Sequence, residues 1–153
     1  MNIQARVQEL GLILPPSPKP AGAYTPFVIS GALIFISGQI SKTADGILFT
    51  GRAGKELDLD GARRAAEAAA LNSLSILNGA VEGGEAIRIV RLAGFVQTTH
   101  DFVDIPQVMD AASELFQKVF GSYGIHARTS VGVSSLPLNA AVEIEVTAER
   151  LPA

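Results

Sequence analysis

Cysteine is absent from the sequence, and histidine occurs only twice, at His100 and His126. The absence of cysteine excludes disulfides, thiolate metal sites and cysteine nucleophiles. The two histidines do not form an H-x-x-x-H pair, so neither a structural nor a catalytic zinc ion is expected. We therefore predict that the chain has no metal site.

Charged residues are also scarce, at 18% of the chain, whereas apolar residues make up 48%. A chain of 153 residues has a large surface for its volume, so this composition is unusually apolar for a monomer. We interpret it as a sign that other subunits cover part of the surface. The formal net charge is −3, and the longest basic run is the pair Arg63-Arg64, so the chain lacks the electrostatic footprint of a nucleic-acid binder.

No segment has both the length and the composition of a membrane span. The longest apolar run, residues 27–40, is interrupted by Ser30-Gly31 and Ser37-Gly38 and is too short to cross a bilayer. The first residues do not show a charged region followed by an apolar one, and we identify no signal peptide. These features predict a cytoplasmic protein that acts on a small molecule and has no membrane or nucleic-acid partner.

Hydrophobic periodicity predicts two long helices, a short N-terminal helix and five or six strands. The predicted helices are residues 2–10, 57–79 and 106–120, and the predicted strands include 27–29, 33–36, 87–96, 126–133 and 141–146. This order predicts an α+β fold, in which a mixed β-sheet carries the two main helices on one face.

The domain organisation follows from a cluster of prolines near the N-terminus. Four prolines lie between residues 15 and 20, and they forbid a helix or a central strand there. We expect a stiff, extended arm with polyproline geometry. Residues 1–19 are therefore assigned to the N-terminal helix and proline-rich arm, and residues 20–153 to a single domain.

The last two predicted strands carry the most suggestive charged residues. Arg128 and Ser130 share one face of the first strand, and Glu143 and Glu145 share one face of the second. A short connection at Leu136-Pro137 joins the strands. We therefore expect the strands to adjoin, which would place the arginine beside the carboxylates.

Two interpretations of this strand pair remain open. An arginine can bind a carboxylate in a bidentate manner, and a neighbouring glutamate can orient or deprotonate water. With Ser130 and the Ser37-Gly38 backbone as hydrogen-bond donors, this set suits hydrolysis of a small carboxylate-bearing substrate with an electrophilic carbon. The alternative is a structural Arg128–Glu143 ion pair within a subunit interface.

Two other residues near these segments are ambiguous on their own. Tyr24 lies in the loop before the first strand, where it could reach into a cleft or anchor the loop with its hydroxyl at the surface. The sequence favours the anchoring role. His100 lies in a polar connection, and we expect a loop histidine that is bonded to its neighbours.

Several motifs resemble, in order and in spacing, those of the Rid family, which is also called the YjgF family. This family contains the enamine/imine deaminases and proteins described as endoribonuclease L-PSP. The resemblance covers about residues 20–150, and its most specific part is the fifteen-residue step from Arg128 to Glu143 with Leu136-Pro137 between them. The matching segments are 20–24, 36–40, 101–102, 127–131, 136–137 and 142–145.

The resemblance implies a chorismate mutase-like fold and a homotrimer whose sheets face a central barrel, with clefts between neighbouring subunits. It implies hydrolysis of 2-imino acids, or of their enamine tautomers, to 2-oxo acids and ammonia. Such a reaction removes reactive by-products of metabolism and uses no metal or cofactor. The substrate is then a small carboxylate-bearing metabolite.

The resemblance also implies roles for individual residues. Arg128 would bind the substrate carboxylate, and Glu143 would position the attacking water. The remaining pocket residues would be Tyr24, Ser37, Gly38 and Ser130, to which we add His126, two residues before Arg128.

The chain departs from the deaminase pattern at several positions. Ser130 replaces a cysteine found in many deaminases, Met109 replaces a common asparagine, and residues 101–106 form a longer connection. These differences concern the substrate rather than the fold. A non-catalytic binder or sensor of a small carboxylic acid is therefore the alternative function. An endoribonuclease fits less well, because the chain is acidic and lacks basic or aromatic patches.

Overall fold

The computed structural model describes residues 2–81 and 85–152. Its helices and strands occur in an order close to that predicted from the sequence. They are α1 Ile3–Glu9, β1 Phe27–Ser30, β2 Leu33–Ile40, β3 Lys42–Thr43, β4 Gly46–Ile47, α2 Leu59–Ala80, β5 Ile87–Gln97, α3 Ile105–Phe120, β6 Ala127–Val133 and β7 Val142–Arg150, with short 3-10 turns at Gly121–Gly124 and Pro137–Asn139. Asn2 and Asp58 cap α1 and α2, because their side chains accept hydrogen bonds from the N–H groups of Ala5 and Gly61.

Five strands form one mixed sheet in the order β1-β2-β7-β5-β6. Every neighbouring pair is antiparallel except β5 and β6, which are parallel and are connected through α3. Helix α2 packs on β2 and β7, α3 packs on β5 and β6, and the two helices contact each other. The predicted mixed α+β sheet with both main helices on one face is therefore confirmed.

The expectation that β6 and β7 adjoin is wrong, because β5 lies between them. Parallel strands need a long crossover connection, and the α3 crossover places β6 beside β5 at the edge of the sheet. The chain then returns through the turn at Pro137–Asn139 and inserts β7 on the other side of β5. A short connection in sequence therefore spans one intervening strand.

The core lies between the sheet and the two main helices. Alanines on α2 let the helix approach the sheet closely, and the alternate apolar residues of β7 face them without exposure to solvent. The N-terminal segment is joined to this core: Ile3 and Val7 are buried, and the Ser75 hydroxyl donates a hydrogen bond of 2.6 Å to the carbonyl of Pro15. The proline-rich arm is therefore tied to α2.

The opposite face of the sheet is open in the single chain. Val28, Phe35 and Val131 on this side are 53%, 45% and 40% exposed. An apolar surface of this kind marks a site of contact with another molecule. Within residues 2–81 and 85–152, none of the helices combines the length and apolar character needed to cross a membrane.

Candidate active site

The first group of candidate residues lies at a bulge in β2. The pairing of β2 with β7 shifts between Ile36 and Gln39, so Ser37 and Gly38 lie in the irregular segment. The Ser37 hydroxyl donates to the carbonyl of Thr25 at 2.7 Å, and the buried Gln39 amide donates to the carbonyls of Ser37 and Gly38 at 2.9 and 3.0 Å. These bonds hold the bulge, so the Ser37 hydroxyl is engaged in the structure of the loop.

Glu143 lies directly over Gly38. A Cβ added to Gly38 would be 2.0 Å from the Oε1 atom of Glu143, so the carboxylate occupies space that only glycine leaves free. Glu143 is partly buried. Burial raises the pKa of Glu143 above its ordinary value, and the negative charge of Glu145 raises the pKa further.

A cavity of about 260 Å³ borders Gly38 and Glu143. The proline-rich arm and its continuation form one wall, and β2, β7 and the turn before β7 form the others. The lining residues include Lys19, Tyr24, Gly38, Ile40, Lys42, Leu138 and Glu143. Tyr24 lines the cavity, and its hydroxyl accepts a hydrogen bond from the N–H of Ala21 at 3.3 Å, so the residue also closes its own loop.

The second group of candidate residues lies between β6 and α3. The Nη1 atom of Arg128 donates to Oδ1 of Asp110 at 2.8 Å and to the hydroxyl of Ser113 at 3.0 Å. Its Nη2 atom is 3.4 Å from the carbonyl of Pro106. Within the described residues, the Nε atom of Arg128 has no hydrogen-bond partner, so the Nε–Nη2 edge of the guanidinium is the one available to a carboxylate.

His126 is hydrogen-bonded to Ser113, the residue that accepts a hydrogen bond from Arg128. Its Nδ1 is 2.7 Å from the carbonyl of Gly124, and its Nε2 is 3.0 Å from the hydroxyl of Ser113. A carbonyl only accepts, so Nδ1 carries the proton and Nε2 accepts from Ser113, whose oxygen accepts from Arg128. Burial lowers the pKa of His126, the Gly124 carbonyl opposes this shift, and the charge of Arg128 adds to it. His126 therefore contacts Ser113 and lies outside the residues that line the Glu143 cavity.

Ser130 lies on the same face of β6 as Arg128. Its hydroxyl is buried and has no hydrogen-bond partner among the described residues. In the register of the sheet it pairs with Gly94, which is covered by the side chain of Met109. A buried hydroxyl without a partner is costly, and a ligand or a second chain could satisfy it.

The structure separates the two groups of residues within one chain. Arg128 pairs in register with Leu92 and faces the helices, whereas Glu143 pairs with Phe95 and faces the open side. With β5 between them and three residues of offset, their Cα atoms are roughly 14 Å apart. The intrachain ion partner of Arg128 is Asp110, so the proposed Arg128–Glu143 ion pair does not form within one chain.

Sequence reasoning missed Asp110, Ser113, Lys19 and Lys42. The first two are three residues apart on α3, a spacing that places both on one side of a helix, and this was the available signal. The two lysines lie in segments with no strong periodic pattern. The path of the arm brings Lys19 to the Glu143 cavity, and β3 brings Lys42 there.

Comparisons with known proteins agree with this fold. Residues 4–150 match the family described as "YjgF/chorismate_mutase-like, putative endoribonuclease", and the chain belongs to this family. The predicted resemblance to the Rid or YjgF family is therefore confirmed.

Individual relatives define the similarity further. The chain is 37% identical over 150 residues to Protein TCP17 of Trypanosoma cruzi, covering 97% of this chain and 94% of that protein. It is 30% identical over 131 residues to a 2-iminobutanoate/2-iminopropanoate deaminase of Dermatophagoides farinae, covering 86% and 88% of the two chains. The crystal structure of the protein Atu1372, with unknown function, from Agrobacterium tumefaciens matches with a TM-score of 0.89 and 39% identity, covering 97% of this chain and 92% of that one.

Proposed function

We propose that this protein hydrolyses 2-imino acids, or their enamine tautomers, to 2-oxo acids and ammonia in clefts between the subunits of a cytoplasmic homotrimer. One observation carries the proposal. The Arg128 guanidinium, with its Nε–Nη2 edge available, and the cavity that contains the Glu143 carboxylate lie on different faces of the same chain. A relative that is 30% identical is named as an imine deaminase, which supports the reaction class.

The proposed cleft requires the Arg128 group of one copy to meet the Glu143 cavity of another copy. Head-to-tail contacts of this kind form a ring when the rotation between copies closes, and we propose a ring of three. In a trimer the open sheet faces would line a central barrel. That arrangement would cover the exposed side chains of Val28, Phe35 and Val131.

The proposed reaction proceeds by addition of water to the imine carbon. The Nε–Nη2 edge of Arg128 binds the substrate carboxylate, and Glu143 takes a proton from water as its oxygen attacks C2. The raised pKa makes Glu143 a stronger base than an ordinary carboxylate. The nitrogen takes up this proton from Glu143 as the carbinolamine forms. The hydroxyl proton then passes to nitrogen through Glu143 as the C2–N bond breaks, so that ammonia leaves and the 2-oxo acid remains. Water supplies both the oxygen and the protons, and no electrons are transferred.

Gly38→Ala is expected to keep the fold and to lower the turnover of an imine about 100-fold, because small displacements of a reacting group cost rates of this order. The added methyl group would overlap the carboxylate of Glu143, which is the movable end of a side chain and would turn away. Release of ammonia from imines formed in situ by an amino-acid oxidase measures the effect. Gly79→Ala is the matched control, since a Cβ there meets nothing within 4 Å. Undiminished turnover in Gly38→Ala would argue against Glu143 as the base.

Mixed oligomers test the shared cleft directly. Arg128→Met and Glu143→Gln chains are each expected to be inactive, whereas co-expressed chains regain activity in about a quarter of their clefts, because random assembly joins an intact Arg128 to an intact Glu143 at that frequency. Sedimentation of the wild-type protein should give the mass of three chains. Mixing Arg128→Met with the double variant cannot restore any cleft and serves as the control. If the mixture of single variants stays inactive, the two groups do not meet across an interface.

A further inference from the structure

Two of the four lysines in the chain line the Glu143 cavity. Lys42 lies on β3 and is partly buried, and its backbone is held by hydrogen bonds from Asn72. The side-chain amide of the buried Asn72 donates to the carbonyls of Ile40 and Lys42 at 2.8 and 2.9 Å. The backbone that carries Lys42 is therefore held at the edge of the cavity.

Lys19 lines the same cavity from the arm. It lies between Pro18 and Pro20, and prolines on both sides restrict the backbone that carries it. The arm is bonded to α2 through the carbonyl of Pro15. A second cavity of about 600 Å³ lies between the arm and the β3–β4 ribbon, and both lysines line this cavity too. Lys19 and Lys42 are thus shared by the two cavities.

Each of the two cavities, taken by itself, is lined by two lysines and one acid. In the part of the chain that the structure describes, neither lysine forms an ion pair, whereas Lys55 pairs with Glu56 at 3.5 Å. Glu143 is the acid that lines the first cavity, and Asp45 is the acid that lines the second. With Glu143 assigned to the water, a ligand in the first cavity meets two lysines that form no ion pair within the described residues.

We propose that the substrate carries a second anionic group at the end opposite its 2-imino acid, and that Lys19 and Lys42 bind this group. The inference rests on the proposed function, because it assigns the first carboxylate to Arg128 of a neighbouring copy. At about 260 Å³ the cavity suits a small metabolite, since clefts for larger ligands start at roughly 300 Å³. Simple aliphatic imino acids leave both ammonium groups unmatched, so the site discriminates against them.

Calorimetry with two product analogues of equal length tests the proposal. 2-Oxoglutarate and 2-oxopentanoate share a five-carbon chain and differ in a terminal carboxylate or methyl group. We expect 2-oxoglutarate to bind about tenfold tighter at low salt, as charge-assisted hydrogen bonds predict, and the preference to shrink at high salt. Lys19→Met and Lys42→Met should each reduce the preference, and the double variant should abolish it. Lys118→Met, on the outer surface of α3, should retain it.

A third ligand distinguishes the kind of anion. If 2-oxo-4-phosphonobutanoate binds more tightly than 2-oxoglutarate, the second group is a phosphate-type anion; if it binds more weakly, the group is a carboxylate. Equal affinities for 2-oxoglutarate and 2-oxopentanoate would overturn the inference, as would an unchanged preference in the double lysine variant. The proposed function stands or falls separately, because it requires 2-oxopentanoate to bind in an Arg128-dependent manner whatever the preference.

Discussion

Arg128→Met is expected to weaken the binding of a 2-oxo acid by about 100-fold, with a matching loss of imine turnover, because the variant loses a bidentate, charge-assisted contact. Methionine keeps the length of the side chain and removes its charge. The partner left behind, Asp110, has a side chain that is 46% exposed, so water can solvate it and the fold should persist. Calorimetric titration with 2-oxobutanoate measures the affinity, and circular dichroism checks the fold.

The controls for Arg128 separate geometry from charge. Arg128→Lys keeps the charge without the planar fork and should recover only part of the affinity. Arg6→Met removes an arginine that pairs with Glu9 on the surface of α1, and it should bind like the wild type. Retention of wild-type affinity in Arg128→Met would show that the carboxylate receptor lies elsewhere.

Glu143→Gln is expected to reduce the turnover of an imine about 1,000-fold, in the range that loss of a general base produces, while binding of a 2-oxo acid changes little. Glutamine has the shape of glutamate and fits over Gly38, but it cannot accept a proton from water. Ammonia release under saturating substrate measures the rate. If the wild-type chain binds 2-oxo acids through Arg128 and shows no more turnover than Glu143→Gln, the protein is a binder and not a deaminase.

Glu145→Gln is the matched control for Glu143→Gln. It is also expected to shift the pH dependence of the turnover rate in a defined direction. The base acts only when ionised, so the rate falls as the pH decreases through the pKa of Glu143. The negative charge of Glu145 contributes to the raised pKa, after burial. Removing that charge lowers the pKa, and the acidic limb of the rate profile should move to lower pH with an almost unchanged plateau. A shift toward higher pH would contradict the assignment of the base.

Much of the fold follows from local patterns in the sequence. The apolar alternation in β7, the helical spacing in α2 and α3, and the glycine turn between β1 and β2 are all signals within a few residues. These signals predicted where elements occur to within a few residues. They did not predict the strand order, because the neighbours of β7 are chosen by the α3 crossover and by burial over long distances in sequence.

The candidate site, like the fold, could be predicted from the sequence only in part. Arg128, Glu143 and Gly38 could be named from the sequence, because the order and spacing of the motifs that contain them resemble those of the Rid family. Their partners could not: Asp110 and Ser113 meet Arg128 only because α3 packs on β6, and His126 contacts Ser113. The steric reason for glycine at position 38 appears only when β7 places Glu143 over the bulge.

The sequence by itself determined the family, the positions of the helices and strands, and the residue types available for the chemistry. The tertiary structure decided which of those residues meet. It inserted β5 between β6 and β7, turned Arg128 toward α3 and Glu143 toward the open face, and brought two lysines to the Glu143 cavity. The physical reason is that periodicity reports which face of an element is buried, whereas the order of strands and the path of the arm depend on packing between distant segments.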